Sequence, residues 1–294
     1  MSLAALHDVP APAKINLFLH IIGRRADGYH LLQSPFQLID WADRLHFERR
    51  ADGRLQRHDL GAALPEDDLC LRAARTLQAA SGTSLGADIS IDKQVPWGAG
   101  MGGGSSDAAS TLLALNRLWG LHWPRERLLA IGLTLGADVP FFVGGRNAFV
   151  EGIGEVLTPV ALPRQWFAVV KPAASLPTAA IFGHPALVRD TEAVILAGLL
   201  DGVLGASVFS SGYGRNDLQP PAEDRCPEVA QAARWLESQF GNSRMTGSGS
   251  AVFARAGTGD QPVATIPAES LPLGWVGRMC RGLEQHPLLE WASD

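Results

Sequence analysis

The stretch PWGAGMGGGSSDAA, residues 96–109, places glycine at 98, 100, 102, 103 and 104 and serine at 105 and 106 directly before an apolar run. So few side chains bring bare backbone close to another body. Three glycine patterns compete for it. Gly98, Gly100 and Gly103 satisfy G-x-G-x-x-G, the dinucleotide fingerprint. However, Pro96 and Trp97 separate the preceding strand from the first glycine, and no acidic residue follows about 20 positions on to hold a ribose. The P-loop pattern requires Gly-Lys-Ser/Thr, and the stretch has no lysine. The third pattern is a loop feeding a helix N-terminus near Ser105. There, free N–H groups form a nest for phosphate oxygens. An anion at such a helix start is favoured by about 0.3–1 kcal/mol, up to about 2 kcal/mol when partly buried. Ser105, Ser106 and Asp107 can cap that helix, and a serine hydroxyl can reach a metal ion. The plain alternative is a tightly packed loop before a capped helix.

Other residues could do chemistry with it. Lys14 and Asn16 share the minority face of an otherwise apolar strand, either as a solvated edge pair or as polar groups aimed into a site. Asp138 follows a Gly136 helix stop and precedes Pro140, where a turn aspartate commonly makes a local cap. Tyr29 and His30 follow an Asp27-Gly28 turn. Taken alone, Tyr29 and Phe182 read as packing, and Gly247, Ser248 and Gly249 in MTGSGSAVFA read as a tight β-turn. The eight histidines form no cluster with metal-ligand spacing.

The elements that must position these residues alternate irregularly, without an internal repeat. Residues 13–22 predict one strand, with Ala13, Ile15, Leu17, Leu19 and Ile21 on one face and Lys14, Asn16, Phe18 and His20 on the other. DRLHFERR predicts a second strand. EDDLCLRAARTLQAASG predicts a helix with Asp67 or Asp68 as N-cap and Gly82 past its end. ADISIDKQV predicts a strand leading into the glycine loop, and SSDAASTLLALNRLWG a helix ending at Gly120. Pro124 opens a further helix to Gly136, and 146–160 predict a hairpin turning at Gly152–Gly154. PRQWFAVVKP begins a new strand, followed by a helix at about 228–240 and strands at about 250–255 and 274–280. The missing βαβ rhythm favours an α+β class. The 294 residues suggest about two domains, divided at 1–163 and 164–294.

Composition narrows the function. Apolar content of 46% and charged content of 19% are those of an ordinary globular protein, not a disordered one. A net charge of −5 offers no basic face for nucleic acid. Cys70, Cys226 and Cys280 contain no C-x-x-C pair, as expected of reduced thiols rather than a disulfide framework or zinc site. The start of the chain lacks a basic segment ahead of an apolar core. The apolar run at 193–200 is too short for a bilayer span. These features predict a cytoplasmic protein with no membrane partner.

The glycine stretch resembles the second motif of the GHMP kinases, named for galactokinase, homoserine kinase, mevalonate kinase and phosphomevalonate kinase. The triple glycine followed by Ser-Ser-Asp-Ala-Ala is similar to one branch, which phosphorylates a cytidine diphosphate-linked methylerythritol in the non-mevalonate route to isoprenoids. PAPAKINLFLHIIGRRADGYHLL, LTLGADVPFFV, EGIGEVL and MTGSGSAVFA agree with it, in the expected order across most of the chain.

The resemblance implies a two-domain α+β kinase with its site in the interdomain cleft. The loop Pro96, Trp97, Gly98, Ala99, Gly100, Met101, Gly102, Gly103, Gly104, Ser105 and Ser106 would wrap the phosphates of ATP. Lys14 and Asp138 would be catalytic, with Asn16 pointing into the site. Tyr29 and His30 would hold the cytosine, with Phe182 stacking on it and Thr178 nearby, from LPTAAIF. Gly247, Ser248 and Gly249 would approach the phosphates of both substrates. Mg²⁺ would bridge the β- and γ-phosphates, with Ser105 and Ser106 as candidate hydroxyl donors. Asp68 departs from the pattern, because many relatives carry asparagine there, and no signature marks 201–215. Two rivals stand beside this reading: a kinase of the same fold acting on another small alcohol, and a non-catalytic nucleotide-binding member.

Overall fold

The computed structural model describes residues 3–196 and 212–294. Its first sheet is organised around one long strand, β3 (His30–Arg50), against which β1 (Ala5–Asn16) and β2 (His20–Arg24) both run antiparallel. The path across the sheet continues through β4 (Leu55–Asp59), β5 (Gly86–Asp92), β6 (Ala148–Glu151) and β7 (Val156–Pro159), in the order β4-β5-β3-β6-β7. β4 and β5 are parallel and the other pairs antiparallel. The β1–β3 register slips between Pro12 and Lys14. As expected of a bulge, the residues of β3 that enter the larger core change from even positions (Phe36, Leu38) to odd ones (Leu45, Phe47).

Helices α1 (Leu69–Ser81), α2 (Gly103–Leu118), α3 (Arg125–Leu135) and α4 (Val139–Gly144) bury their apolar residues in that core. A second, antiparallel sheet has the order β11-β8-β10-β9, from β8 (Trp166–Lys171), β9 (Arg244–Met245), β10 (Val252–Arg255) and β11 (Val276–Arg281). Around it lie α5 (Thr178–Phe182), α6 (Gln219–Arg225) and α7 (Pro227–Phe240). Phe167, Val169 and Phe253 of the second sheet pack with Ile15, Leu17, Ile39 and Trp41 of the first unit in one buried cluster. The class is α+β. No helix among the described residues is long and apolar enough to cross a membrane. All three cysteines are free and buried.

Capping residues placed the ends of α1 well. Asp68 caps α1 by accepting from the Leu71 amide at 3.1 Å, and Gly82 ends it at φ 66°. The expected strand over 13–22 is instead two strands separated by a crank at 17–19. Leu17 there donates to the Pro35 carbonyl and Leu19 to that of Arg215. The crank breaks the alternation. Ala13, Ile15, Leu17 and Phe18 enter the inter-sheet cluster, whereas Leu19 and Ile21 enter the larger core. Of the apolar run at 193–200 and the glycine-rich 201–215, residues 197–211 lie outside the described residues.

Candidate active site

The glycine loop lies between the two units. Residues Pro96 to Ser105 line a groove of about 200 Å³, together with Leu69, Lys93 and Val95. The side chains of Ala99 and Met101 are buried in the inter-sheet cluster, so these two residues offer the groove backbone. α2 begins at Gly103, two residues earlier than expected, behind Gly102 at φ 71°. Its first intrahelical bond runs from Ser106 N to Gly102 O, so the amides of Gly103, Gly104 and Ser105 have no acceptor within the helix. The helix start with free amides anticipated from sequence is present, with its capping corrected: no side chain caps α2. The Ser106 hydroxyl is buried and donates to the Pro12 carbonyl at 2.7 Å, while Ser105 remains partly exposed.

Asp107 pairs with Lys93 at 2.6 Å, and Lys93 also pairs with the buried Asp43. Asp43 accepts in turn from the Gln94 and Val95 amides at 2.6 and 2.7 Å, pinning the chain as it enters the loop. Burial, reinforced by Asp43 and opposed by Lys93, pushes the Asp107 carboxyl up to about 8. Sequence reasoning missed this cluster. Its members lie on β3, just after β5 and on α2, so no local pattern in the sequence marks them.

Lys14 and Asn16 are almost fully buried, which removes the solvated-edge reading. The Lys14 ammonium donates to Asn16 Oδ1 at 2.6 Å and lies 4.4 Å above the Phe36 ring. It stands 3.8 Å from Asp138 Oδ2. Burial lowers the Lys14 pKa below the ordinary lysine value, and the Asp138 carboxylate draws it back up. Asp138 sits at the N-terminus of α4, yet its side chain caps nothing, and at one-third exposure it is open to a ligand. The backbone N–H of Lys14 donates to the Met101 carbonyl, so the lysine and the glycine loop are fixed to each other.

The TGSGS loop closes the other side. The amides of Ser250 and Ala251 donate to the carbonyls of Gly98 and Ala99 at 3.4 and 3.2 Å. A Cβ at Gly100, where φ is 74°, would collide with the Thr246 carbonyl, and one at Gly247 with that of Gly100. Glycine is required by both φ and space. Two further holders had been missed. Thr246 accepts from the Asn16 amide at 2.9 Å, and Asn216 donates to the carbonyls of Met245 and Gly247 at 2.7 and 2.9 Å. Their signal is a long-range pairing, 230 residues apart for Asn16 and Thr246.

A second cleft, of about 600 Å³, is lined by Tyr29, His30, Thr178, Phe182, Arg24 and Ile153, among others. The His30 and Phe182 rings lie 5.2 Å apart, tilted by 39°. Tyr29 is 59% exposed and makes no ring contact with either. Thr178 Oγ1 and Ser248 Oγ are 2.9 Å apart, so this cleft adjoins the TGSGS loop. Asp68, the departure from pattern, spends its carboxylate on the α1 cap and on Arg57 at 2.8 Å. No group of three or more His, Cys, Asp or Glu among the described residues could hold a metal. The loop itself offers the hydroxyl oxygen of Ser105, a hard ligand. Such a sparse set suits Mg²⁺ carried mainly by phosphate oxygens.

Free amides at a glycine-loop helix start, a buried lysine beside an open carboxylate and two glycine loops in mutual contact are the features of an ATP-dependent small-molecule kinase, and the chain belongs to the GHMP kinases. The model of the GHMP kinases N terminal domain matches residues 68–146, and that of the GHMP kinases C terminal domain matches residues 200–264. Within that family it is similar over its full length to proteins named 4-diphosphocytidyl-2-C-methyl-D-erythritol kinase. It is 69% identical to that of Methylibium petroleiphilum over 294 residues, covering 100% of both chains. It is 57% identical to that of Paracidovorax citrulli over 293 residues, covering 98% of each. A crystal structure of 4-(cytidine 5'-diphospho)-2C-methyl-D-erythritol kinase superposes with a TM-score of 0.72 at 36% identity, covering 84% of this chain and 89% of that one. Homoserine kinase from Cytophaga hutchinsonii, at 16% identity and a TM-score of 0.64 over 88% of this chain and 87% of its own, shares the fold.

Proposed function

We propose that this protein transfers the γ-phosphoryl group of ATP to the 2-hydroxyl of 4-diphosphocytidyl-2-C-methyl-D-erythritol, giving the 2-phosphate and ADP. The observation that carries this reading is the placement of the Lys14–Asp138 pair beneath the glycine loop, with the Tyr29, His30 and Phe182 cleft adjoining the second loop. The amides of Gly103, Gly104 and Ser105 cradle the phosphates. Asp138 orients the accepting hydroxyl and takes its proton late in the transfer, because a carboxylate is a weak base for an alcohol. Lys14, 3.8 Å from Asp138, stabilises charge on the transferring group. Asn16 keeps the Lys14 ammonium in place. Mg²⁺ bound with ATP would neutralise β- and γ-phosphate charge, with the Ser105 hydroxyl as an oxygen donor in the loop.

Tyr29 and Phe182 would stack on the cytosine, at about 1–3 kcal/mol per base. Ser248, Gly247 and Gly249 would meet the phosphates joining cytidine to the polyol. The units are 1–163 and 164–294, with the last segment returning to the first through the contacts of Arg125 with Leu289 and Ala292. The compartment is the cytoplasm, and the acceptor is a small molecule.

The test is ADP release by the purified protein with Mg-ATP, offering the cytidine compound, homoserine, mevalonate and galactose separately. Turnover with the cytidine compound alone is expected. Turnover confined to another alcohol would retain Lys14 and Asp138 and sink the cytosine cleft. ATP binding without turnover of any would point to a non-catalytic member.

A further inference from the structure

Arg189 belongs to no motif singled out in the sequence, yet every nitrogen of its guanidinium is engaged. Its Nη1 donates to the Leu187 carbonyl at 2.9 Å, and its Nη2 to the carbonyls of Phe182 and His184 at 3.2 and 3.0 Å. Its Nε donates to His30 Nε2 at 3.0 Å. One side chain therefore holds the backbone of Phe182 and the ring of His30, two of the three aromatic residues lining the 600 Å³ cleft.

That last bond decides a proton. A guanidinium donates and never accepts, so His30 Nε2 must keep its lone pair. The proton of the neutral ring then resides on Nδ1, which has no hydrogen-bond partner among the described residues and is left to the cleft. Protonating the ring would set N–H against N–H beside two cations, Arg189 and Arg24. In keeping with this, burial first and then these two arginines lower the His30 pKa.

We infer that Arg189 is a positioning residue that fixes His30 as the Nδ1–H tautomer, so that the cleft selects a pyrimidine with a bare acceptor at N3 over one carrying a proton there: cytosine over uracil. The inference rests on reading the cleft as the cytidine subsite. Cytosine N3 accepts from Nδ1–H, whereas uracil would bring its own N3–H against that donor, leaving both unsatisfied. A site built around one hydrogen bond rejects the mismatched analogue far more strongly than an apolar wall does.

The experiment uses the full chain, with CDP and UDP as probes. In protein labelled with ¹⁵N-histidine at pH 7, the His30 resonances should show a protonated Nδ1 and a bare Nε2. Calorimetry should find CDP bound on the order of 10- to 100-fold more tightly than UDP. Arg189→Met should bring the two affinities to within a few-fold, and should raise KM for the cytidine acceptor more than it lowers kcat. Arg189→Lys, which keeps one donor, should recover part of the ratio. A proton on Nε2 or an imidazolium in the wild-type protein would overturn the inference, even if the variants fail to fold. So would an unchanged CDP/UDP ratio in folded Arg189→Met. Equal affinity for both nucleotides in the wild type removes the role of Arg189 and leaves the cytidine subsite standing. If CDP and UDP both fail to bind at millimolar concentration while Mg-ATP binds, the subsite falls and the inference with it.

Discussion

Lys14 and Asp138 are 3.8 Å apart, one buried and the other one-third exposed, and that asymmetry sets what each contributes. Lys14→Met removes a charge the site was built around, whereas Asp138→Asn keeps the shape and removes the proton acceptor. Both are expected to lower kcat by roughly 10²- to 10⁴-fold. KM for ATP should change little with Asp138→Asn, because the proposed phosphate site is built from backbone amides; steady-state kinetics with ATP varied at saturating acceptor checks this. At this scale the sequence was informative wherever chemistry was local. Lys14 and Asn16 stood out as the polar pair on an apolar strand, whereas Asp138 read alone as a turn residue and was nominated only by the family resemblance. Asp107 misled, since an aspartate after two serines suggests a cap, and its true partner Lys93 lies 14 positions earlier. Arg189 gave no signal, because its meaning depends on a ring 159 positions away.

The glycine loop and the TGSGS loop constrain each other through Gly100 and Gly247, each at positive φ and each against the other's backbone. Gly100→Ala should therefore cost on the order of 2 kcal/mol of stability, through a strained φ and a displaced Thr246 carbonyl. It should also raise KM for ATP, because the nest moves with the loop. A thermal melt and ATP-dependent kinetics on one preparation test both parts. Helices were legible because their ends are written locally: Asp68 and Gly82 bound α1, and Pro227 and Gly241 bound α7. The strand over 13–22 was not, because its crank is set by carbonyls supplied from Pro35 and Arg215. Alternation within ten residues carries no trace of either.

Across the whole molecule, the last residues tie the end of the chain back onto the first unit. His286 donates its amide to the Gly145 carbonyl and accepts at Nδ1 from the Leu288 amide, and its ring is buried without a partner for Nε2 among the described residues. Burial, assisted by Arg125, lowers its pKa from 6.5 to about 3. The folded form thus binds the proton less readily than the unfolded form, so stability is full above about pH 6.5 and falls as the pH drops towards 3. Denaturant unfolding should show a loss on the order of 2 kcal/mol by about pH 4.5, and His286→Gln should flatten that slope. The α+β class and the order of motifs were legible at this scale; the shared inter-sheet cluster was not, since it joins residues more than 200 positions apart. The paired glycine loops have one more consequence. If the nucleotide settles one loop and the acceptor the other, each ligand becomes an effector of its neighbour. Whatever factor the acceptor lends to ATP affinity, ATP must return to the acceptor, as linkage requires.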